Sequence, residues 1–132
     1  KNIRDWIYVH DHCDALYKVL ENGKIGETYN IGGDQEMTNL NMVEKICDIL
    51  DIIKPSKGFQ SYKDLITFVD DRPGHDFRYA VDSSKIKDTI NFLPKHHIKT
   101  GLEKTIIWYL DNLEWINNIR KTKYNQERLG VI

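Results

Sequence analysis

Only two cysteines, three prolines and two methionines occur among the 132 residues, and the charges nearly cancel at a formal net of -1. Each scarcity closes off a class of protein. Cys13 and Cys47 fall on predicted helices and cannot make the disulfide framework of a small secreted domain, so a reducing, cytoplasmic setting is the expectation. Lysines and arginines are dispersed and form no concentrated basic face, which argues against nucleic acid as a partner. Any phosphate must therefore be met locally, by one or two arginines. No apolar run approaches the ~20 residues of a membrane span, so no membrane association is expected. None of the eight glycines stands in Gly-x-Gly-x-x-Gly or Gly-x-x-Gly-x-x-Gly, and the usual pyrophosphate cradle of a dinucleotide-binding fold is missing. Internal repeats and low-complexity tracts are absent too.

What is present describes a packed α/β chain. A hydrophobic fraction of 40% with 30% charged residues belongs to a globular protein, one domain or a piece of one, able to bury roughly two-thirds of its unfolded surface. The chain opens at Lys1, almost directly in a strand-like run, and is expected to be a fragment. Trp6 to Val9 reads as a strand, and Asp11 as the cap of a helix with Ala15, Leu16, Val19 and Leu20 on one face, ending before Gly23. Thr28 to Ile31 reads as a strand closed by Gly32-Gly33. Thr38 or Asn39 can cap a second helix carrying Leu40, Val43, Ile46, Cys47 and Leu50. Asp82 can cap a short helix through Ile86 and Ile90 that Pro94 ends. Thr100-x-x-Glu103 has the form of a capping box opening a last long helix. After Asn118 the chain turns polar, so residues 119–132 are expected to be a frayed tail behind a domain over 1–118.

The hexapeptide Asp71-Arg72-Pro73-Gly74-His75-Asp76 concentrates a cation, a rigid turn and a titratable ring. Ile66 to Val69 before it and Arg78 to Val81 after it are rich in β-branched and aromatic residues, so the loop is expected to hang between two strands. Pro73 presets φ and Gly74 lets the backbone bend, giving Arg72 and His75 a stiff platform. A planar guanidinium suits a pair of phosphate oxygens. An ordinary Pro-Gly turn with a surface Arg–Asp pair accounts for the hexapeptide equally well in isolation.

The hexapeptide follows two other segments in fixed order, Arg4-Asp5-Trp6-Ile7-Tyr8-Val9-His10-Asp11-His12 and Gly26-Glu27-Thr28-Tyr29-Asn30-Ile31-Gly32-Gly33. Together they resemble the C-terminal part of the nucleotide-sugar 4,6-dehydratases, extended short-chain dehydrogenase/reductases, with the likeness running on through Lys104 to Leu110 and Trp115-Ile116. The resemblance implies an α/β, C-terminal substrate-binding portion, with one or two strands that join a Rossmann-type sheet lying elsewhere. It implies an NAD-dependent lyase acting on a dTDP- or UDP-linked glucose, and a homodimer. The family's Tyr-x-x-x-Lys pair has no match here, because none of the seven tyrosines is followed four positions later by lysine. No catalytic or NAD-binding residue is therefore assigned to this chain, and the chain alone is expected to be inactive.

The resemblance implies substrate binding by Arg4, Asn39, Asp71, Arg72, Pro73, Gly74 and His75. Arg4 matches a family arginine that contacts the nucleotide diphosphate, and a surface pair with Asp5 or Asp11 is its plainer role. Asn39 matches a substrate-contacting asparagine and also suits a helix cap. His75 can donate to a phosphate or ribose oxygen, or satisfy the turn. Asp71 and Asp76 suit positioning of the loop through Arg72, Arg78 or backbone amides. His10, His12 and Cys13 invite a zinc reading, but Cys47 alone does not complete four ligands in recognisable pairs, and no metal is expected. A family tyrosine near the C-terminus has no secure counterpart, Tyr124 falling too early. Other readings are a noncatalytic module binding a sugar nucleotide or a protein, or part of a related epimerase or decarboxylase.

Overall fold

The computed structural model describes residues 1–122. Three short strands and five helices follow in the order β1 (Ile3–Asp5), α1 (Val9–Asn22), β2 (Glu36–Thr38), α2 (Asn39–Ile53), a 3₁₀ turn (Tyr62–Leu65), β3 (Arg78–Tyr79), α3 (Ser84–Ile90), α4 (Ile98–Asp111) and α5 (Leu113–Thr122). The sheet has β1 at its centre, antiparallel to β2 with Arg4 opposite Met37, and parallel to β3 with Arg4 opposite Tyr79. Arg78 on β3 donates from Nε and Nη2 to both carboxylate oxygens of Glu36 on β2, at 2.6 Å each, so a bidentate pair clips the two outer strands across β1.

The first strand lies earlier than the apolar run Trp6 to Val9 implies. Neighbouring strands accompany only residues 3–5, and Trp6 makes one last bond, its N–H to Gln35 O at 3.3 Å. Tyr8 then caps α1 in an extended conformation, without a side-chain bond. Asp11 is inside the first turn instead of capping it, buried at 1% exposure. The helix ends at Gly23 as expected. Ala15, Ile86, Ile90 and Phe92 make the main core, with Val19, Tyr29 and Ile31 packed against it. Leu16 and Leu20, placed on the same face by spacing, are 53% and 81% exposed.

Thr28 to Ile31 pairs with no strand among the described residues. It is held through side chains, Tyr29 and Ile31 on the core and Asn30 Nδ2 donating to Asp82 O at 3.2 Å. Ile66 to Val69 is likewise irregular, and of the two strands expected around the hexapeptide only Arg78–Tyr79 forms. Thr38 does cap α2, its Oγ1 accepting the Asn41 N–H at 3.1 Å. Met42 and Cys47 turn inward from α2, which packs on α4 beside buried Ile106. The short helix α3 ends at Asn91, left-handed at φ 54°, three residues ahead of Pro94.

Helix α4 starts at Ile98, two residues before the expected capping box, because residues 96–98 are held from outside. Asp11 accepts the His96 N–H and ring Nδ1–H at 2.9 Å each, while Gln35 Oε1 accepts the Ile98 N–H. Burial pushes the Asp11 carboxyl up, and the His96 bonds, with the Lys95 N–H, outweigh it and hold the carboxyl below its usual value. Thr100 is left within the helix, donating to His97 O at 2.9 Å. Asn112 breaks the expected long helix, and Trp115 on α5 meets Trp108 edge-on at 5.3 Å. Helix α5 carries on through Thr122, while Lys123, Tyr124 and the rest of 123–132 lie outside the described residues. No helix among the described residues is long and apolar enough to cross a membrane.

A Cβ placed on Gly33 meets Trp6 O at 2.0 Å, a backbone atom that cannot swing aside. Gly33→Ala is expected to destabilise the fold by about 2 kcal/mol or more, measured by urea unfolding. Gly58→Ala, where the nearest atom is Ser56 Oγ at 3.9 Å, is expected to stay within about 0.5 kcal/mol of the parent.

Candidate functional site

Adjacent residues of a strand face opposite sides, and β1 uses both. On one side Asp5 accepts the Gly33 N–H on Oδ2 and the Gln35 N–H on Oδ1, both at 2.8 Å. The Ile31-Gly32-Gly33 turn is thereby pinned beneath the strand, and a Cβ on Gly32 would stand 2.6 Å from the same carboxylate. On the other side Arg4 reaches the hexapeptide. Its Nη2 lies 2.7 Å from His75 Nε2 and donates to Asp76 O at 2.9 Å, and its Nη1 donates to Ile3 O at 2.6 Å. The guanidinium also stands over the Tyr79 ring, 5.6 Å from its centroid.

His75 and Asp71 close the network. His75 Nδ1 lies 2.7 Å from Asp71 Oδ1, Asn2 Nδ2 donates to Asp71 Oδ2 at 2.9 Å, and the Arg72 N–H reaches Asp71 Oδ1 at 2.8 Å. The Asn2 bond, followed by His75 and the Arg72 amide, outweighs desolvation and holds the Asp71 carboxyl at about 2. Asp71 thus positions the loop as expected, through the Arg72 backbone and not its side chain. Pro73 and Gly74 form the turn at the tip, Gly74 with φ +69°.

Beside this loop lies a cleft of about 700 Å³. Leu40, Val43, Leu50, Leu65, Ile66 and Phe68 are among its apolar lining, while its polar lining includes Lys1, Asn2, Asn39, Asp70, Asp71, Arg72 and His75. Asn39 is the first residue of α2, so the positive end of that helix opens on the cleft. The capping role goes to Thr38, leaving the Asn39 side chain available. Burial, with Asp51 and Asp48 nearby, pushes the Cys47 thiol in the same cleft up, away from the reactive thiolate.

Of the expected site residues, the fold brings Arg4, Asp71 and His75 into one network and sets Asn39 and Arg72 on the rim of one cleft. Arg4 is not part of the cleft lining. Its bonds run to the loop and to Ile3 O of its own strand, and neither Asp5 nor Asp11 pairs with it. Arg72 carries no side-chain bond to the described residues. Asn2 escaped the sequence reading, although it lies two residues before Arg4 and the two-residue strand period directs both to one side. Among the described residues no group of three or more His, Cys, Asp or Glu is placed to hold a metal ion, and His10 stacks on Tyr8 at 5.1 Å.

The architecture, with a central strand bearing Arg-Asp between a Gly-Gly turn and an arginine loop, is that of an extended short-chain dehydrogenase/reductase. The chain belongs to the GDP-mannose 4,6 dehydratase family, whose model matches residues 1–105. It is 52% identical over 131 residues to a dTDP-glucose 4,6-dehydratase of Neisseria meningitidis serogroup B, covering 98% of this chain and 37% of that protein. Likeness to dTDP-glucose 4,6-dehydratase 1 of Escherichia coli K12 is 49% over 122 residues, 92% of this chain and 33% of the relative. The crystal structure of dTDP-glucose 4,6-dehydratase from Bacillus anthracis in complex with NAD superposes with a TM-score of 0.74 at 43% identity, covering 86% of this chain and 33% of that one. A Streptomyces venezuelae dTDP-glucose 4,6-dehydratase with NAD and TYD bound gives 0.72 at 34% identity over the same shares. This chain spans just over a third of the length of the curated relatives it matches.

The Asp71 carboxyl titrates at about 2 in the fold and near 3.9 when unfolded. A lowered folded value stabilises fully above the unfolded value, and the contribution disappears as pH falls through the folded one. Asp71→Asn is therefore expected to be less stable than the parent at pH 5, with the gap narrowing between about pH 4 and about pH 2. Paired urea unfolding curves across that range measure it. A gap independent of pH would show that the charge of Asp71 contributes nothing.

Proposed function

We propose that this chain is the C-terminal, substrate-binding portion of a dTDP-glucose 4,6-dehydratase, with Arg4, Asn39, Asp71, Arg72, Pro73, Gly74 and His75 forming its nucleotide-sugar site. The carrying observation is the cleft where the unengaged Arg72 guanidinium stands with Asn39 at the start of α2. A fork of N–H donors and the positive end of a helix both suit the oxygens of a diphosphate. The apolar wall below them suits the less polar parts of a nucleotide sugar. Names of the similar proteins favour dTDP over UDP as the nucleotide.

Within that site the residues divide their work. Arg72 supplies the bidentate contact. Arg4 commits Nη2 to the loop and one Nη1–H to Ile3 O of its own strand, and keeps its Nε–H and one Nη1–H, enough for single bonds to the ligand. Pro73 and Gly74 shape the turn, and Asp71 and His75 hold it. The ligand is thereby fixed by one end, so that the sugar is presented to the rest of the enzyme. Such positioning can lower a barrier by several kcal/mol with no covalent chemistry.

In the whole enzyme the proposed reaction oxidises the glucose at C4, eliminates water across C5 and C6 and returns hydride to C6, giving the 4-keto-6-deoxy sugar. NAD supplies the hydride acceptor and donor in that reaction. The residues of this chain do not fit NAD: the Gly32-Gly33 backbone is packed against Asp5 and Trp6 and leaves no cradle for a pyrophosphate. The division proposed is a substrate-binding unit over 1–118 followed by a tail, in a cytoplasmic, homodimeric enzyme whose catalytic residues lie elsewhere.

Arg72→Lys tests the site directly, since lysine keeps the charge and loses the fork. Affinity for dTDP, measured by isothermal titration calorimetry, is expected to fall about tenfold. An unchanged affinity would remove Arg72 from the site.

A further inference from the structure

The ring of His75 is held from both sides, by Asp71 at Nδ1 and by Arg4 at Nε2. Arginine has no acceptor, so the 2.7 Å contact between Arg4 Nη2 and His75 Nε2 requires that Nε2 receive the bond. Ionised Asp71 has no donor, so the 2.7 Å contact with Nδ1 requires the proton to be there. Asn2 Nδ2 also lies 2.8 Å from Nδ1, with one of its two N–H bonds given to Asp71 Oδ2 at 2.9 Å. The contacts of Nδ1 with the Asp71 carboxylate and of Nε2 with Arg4 together favour the proton on Nδ1. The side chain of His75 is 22% exposed, and both of its nitrogens are engaged. Neither is left to donate to a ligand.

From this we infer that His75 is a positioning residue: held as the Nδ1–H tautomer between Asp71 and Arg4, it couples the arginine loop to β1 and sets the Arg4 guanidinium. The chain of bonds runs Asn2, Asp71, His75, Arg4, beginning and ending on one side of the same strand segment. It closes a ring around residues separated by about seventy positions in sequence. Two consequences follow for the nucleotide-sugar site, on whose reading this second part rests. Both Nη2 hydrogens of Arg4 are consumed by His75 Nε2 and Asp76 O, and one Nη1 hydrogen by Ile3 O, so neither bidentate edge of Arg4 is intact. Arg4 can give the ligand single bonds only, and the bidentate grip falls to Arg72. Removing His75 frees one edge of Arg4 but leaves its orientation and the loop unset.

The experiment reads the tautomer and the ligand separately. Long-range ¹H–¹⁵N correlation spectra of the ¹⁵N-labelled chain at neutral pH are expected to show His75 with Nδ1 protonated and Nε2 as a hydrogen-bonded acceptor. Asp71→Ala leaves only the Arg4 contact to hold the tautomer, and an Nε2–H population is expected to appear beside the Nδ1–H form. Calorimetry with dTDP is expected to show about tenfold weaker binding for His75→Ala. Arg72→Ala should weaken binding while leaving the His75 tautomer as it is. A His75 ring in the Nε2–H form in the parent chain overturns the inference, whatever binds. Unchanged dTDP affinity in His75→Ala overturns the coupling to the site. No dTDP binding by the parent chain, with the Nδ1–H form present, overturns the nucleotide-sugar reading and leaves the strut supported.

Discussion

The Arg4-Asp5 pair on β1 is the constraint on which the rest of the structure depends. Because successive strand residues face opposite ways, one dipeptide can hold two distant segments at once. Asp5 fastens the backbone of Gly33 and Gln35, and Gln35 in turn fastens the start of α4. Arg4 fastens His75 and Asp76, and with them the loop carrying Arg72. A three-residue strand makes few ladder bonds of its own. Its importance lies in its side chains, which explains why the three segments of the family resemblance meet in one place.

Charge and burial are arranged consistently with a site that receives an anion. Two acidic groups near the loop have partners: Asp71 in Asn2, His75 and a backbone amide, and Glu36 in Arg78. Arg72 alone on that rim brings an unengaged guanidinium, beside a helix N-terminus and above an apolar wall. An anion there meets the Arg72 guanidinium and the start of α2, with the Asp70 carboxylate on the same lining.

Much of this was legible in the sequence, and the failures share a cause. Helix ends were readable where the signal is local, as with Thr38 capping α2 and Gly23 closing α1. They were misread where a distant side chain decides, as at α4, whose start is set by Asp11 and Gln35 and not by the Thr100 signature. At Thr28–Ile31 and Ile66–Val69 β propensity predicts strands, but it records side-chain preference and cannot supply a neighbouring strand, and none pairs with them among the described residues. Leu16 and Leu20 show the same limit: spacing assigns them to a buried face, but no described element covers it. For the proposed site, Arg72 follows from residue type and Asn39 from the family resemblance, whereas Asn2 and the consumption of the Arg4 fork depend on contacts across some seventy residues.

The central claim is that β1 presents the Arg72 loop and the start of α2 to a nucleoside diphosphate. Its most direct measurement is an amide chemical-shift titration of the ¹⁵N-labelled chain with dTDP, run beside thymidine at the same concentrations. The account expects saturable shifts at Asn39, Leu40 and residues 71–75 with dTDP, and shifts at those positions reduced or lost with thymidine, which lacks the phosphates. Shifts elsewhere in the chain, or equal shifts with both ligands, would contradict it.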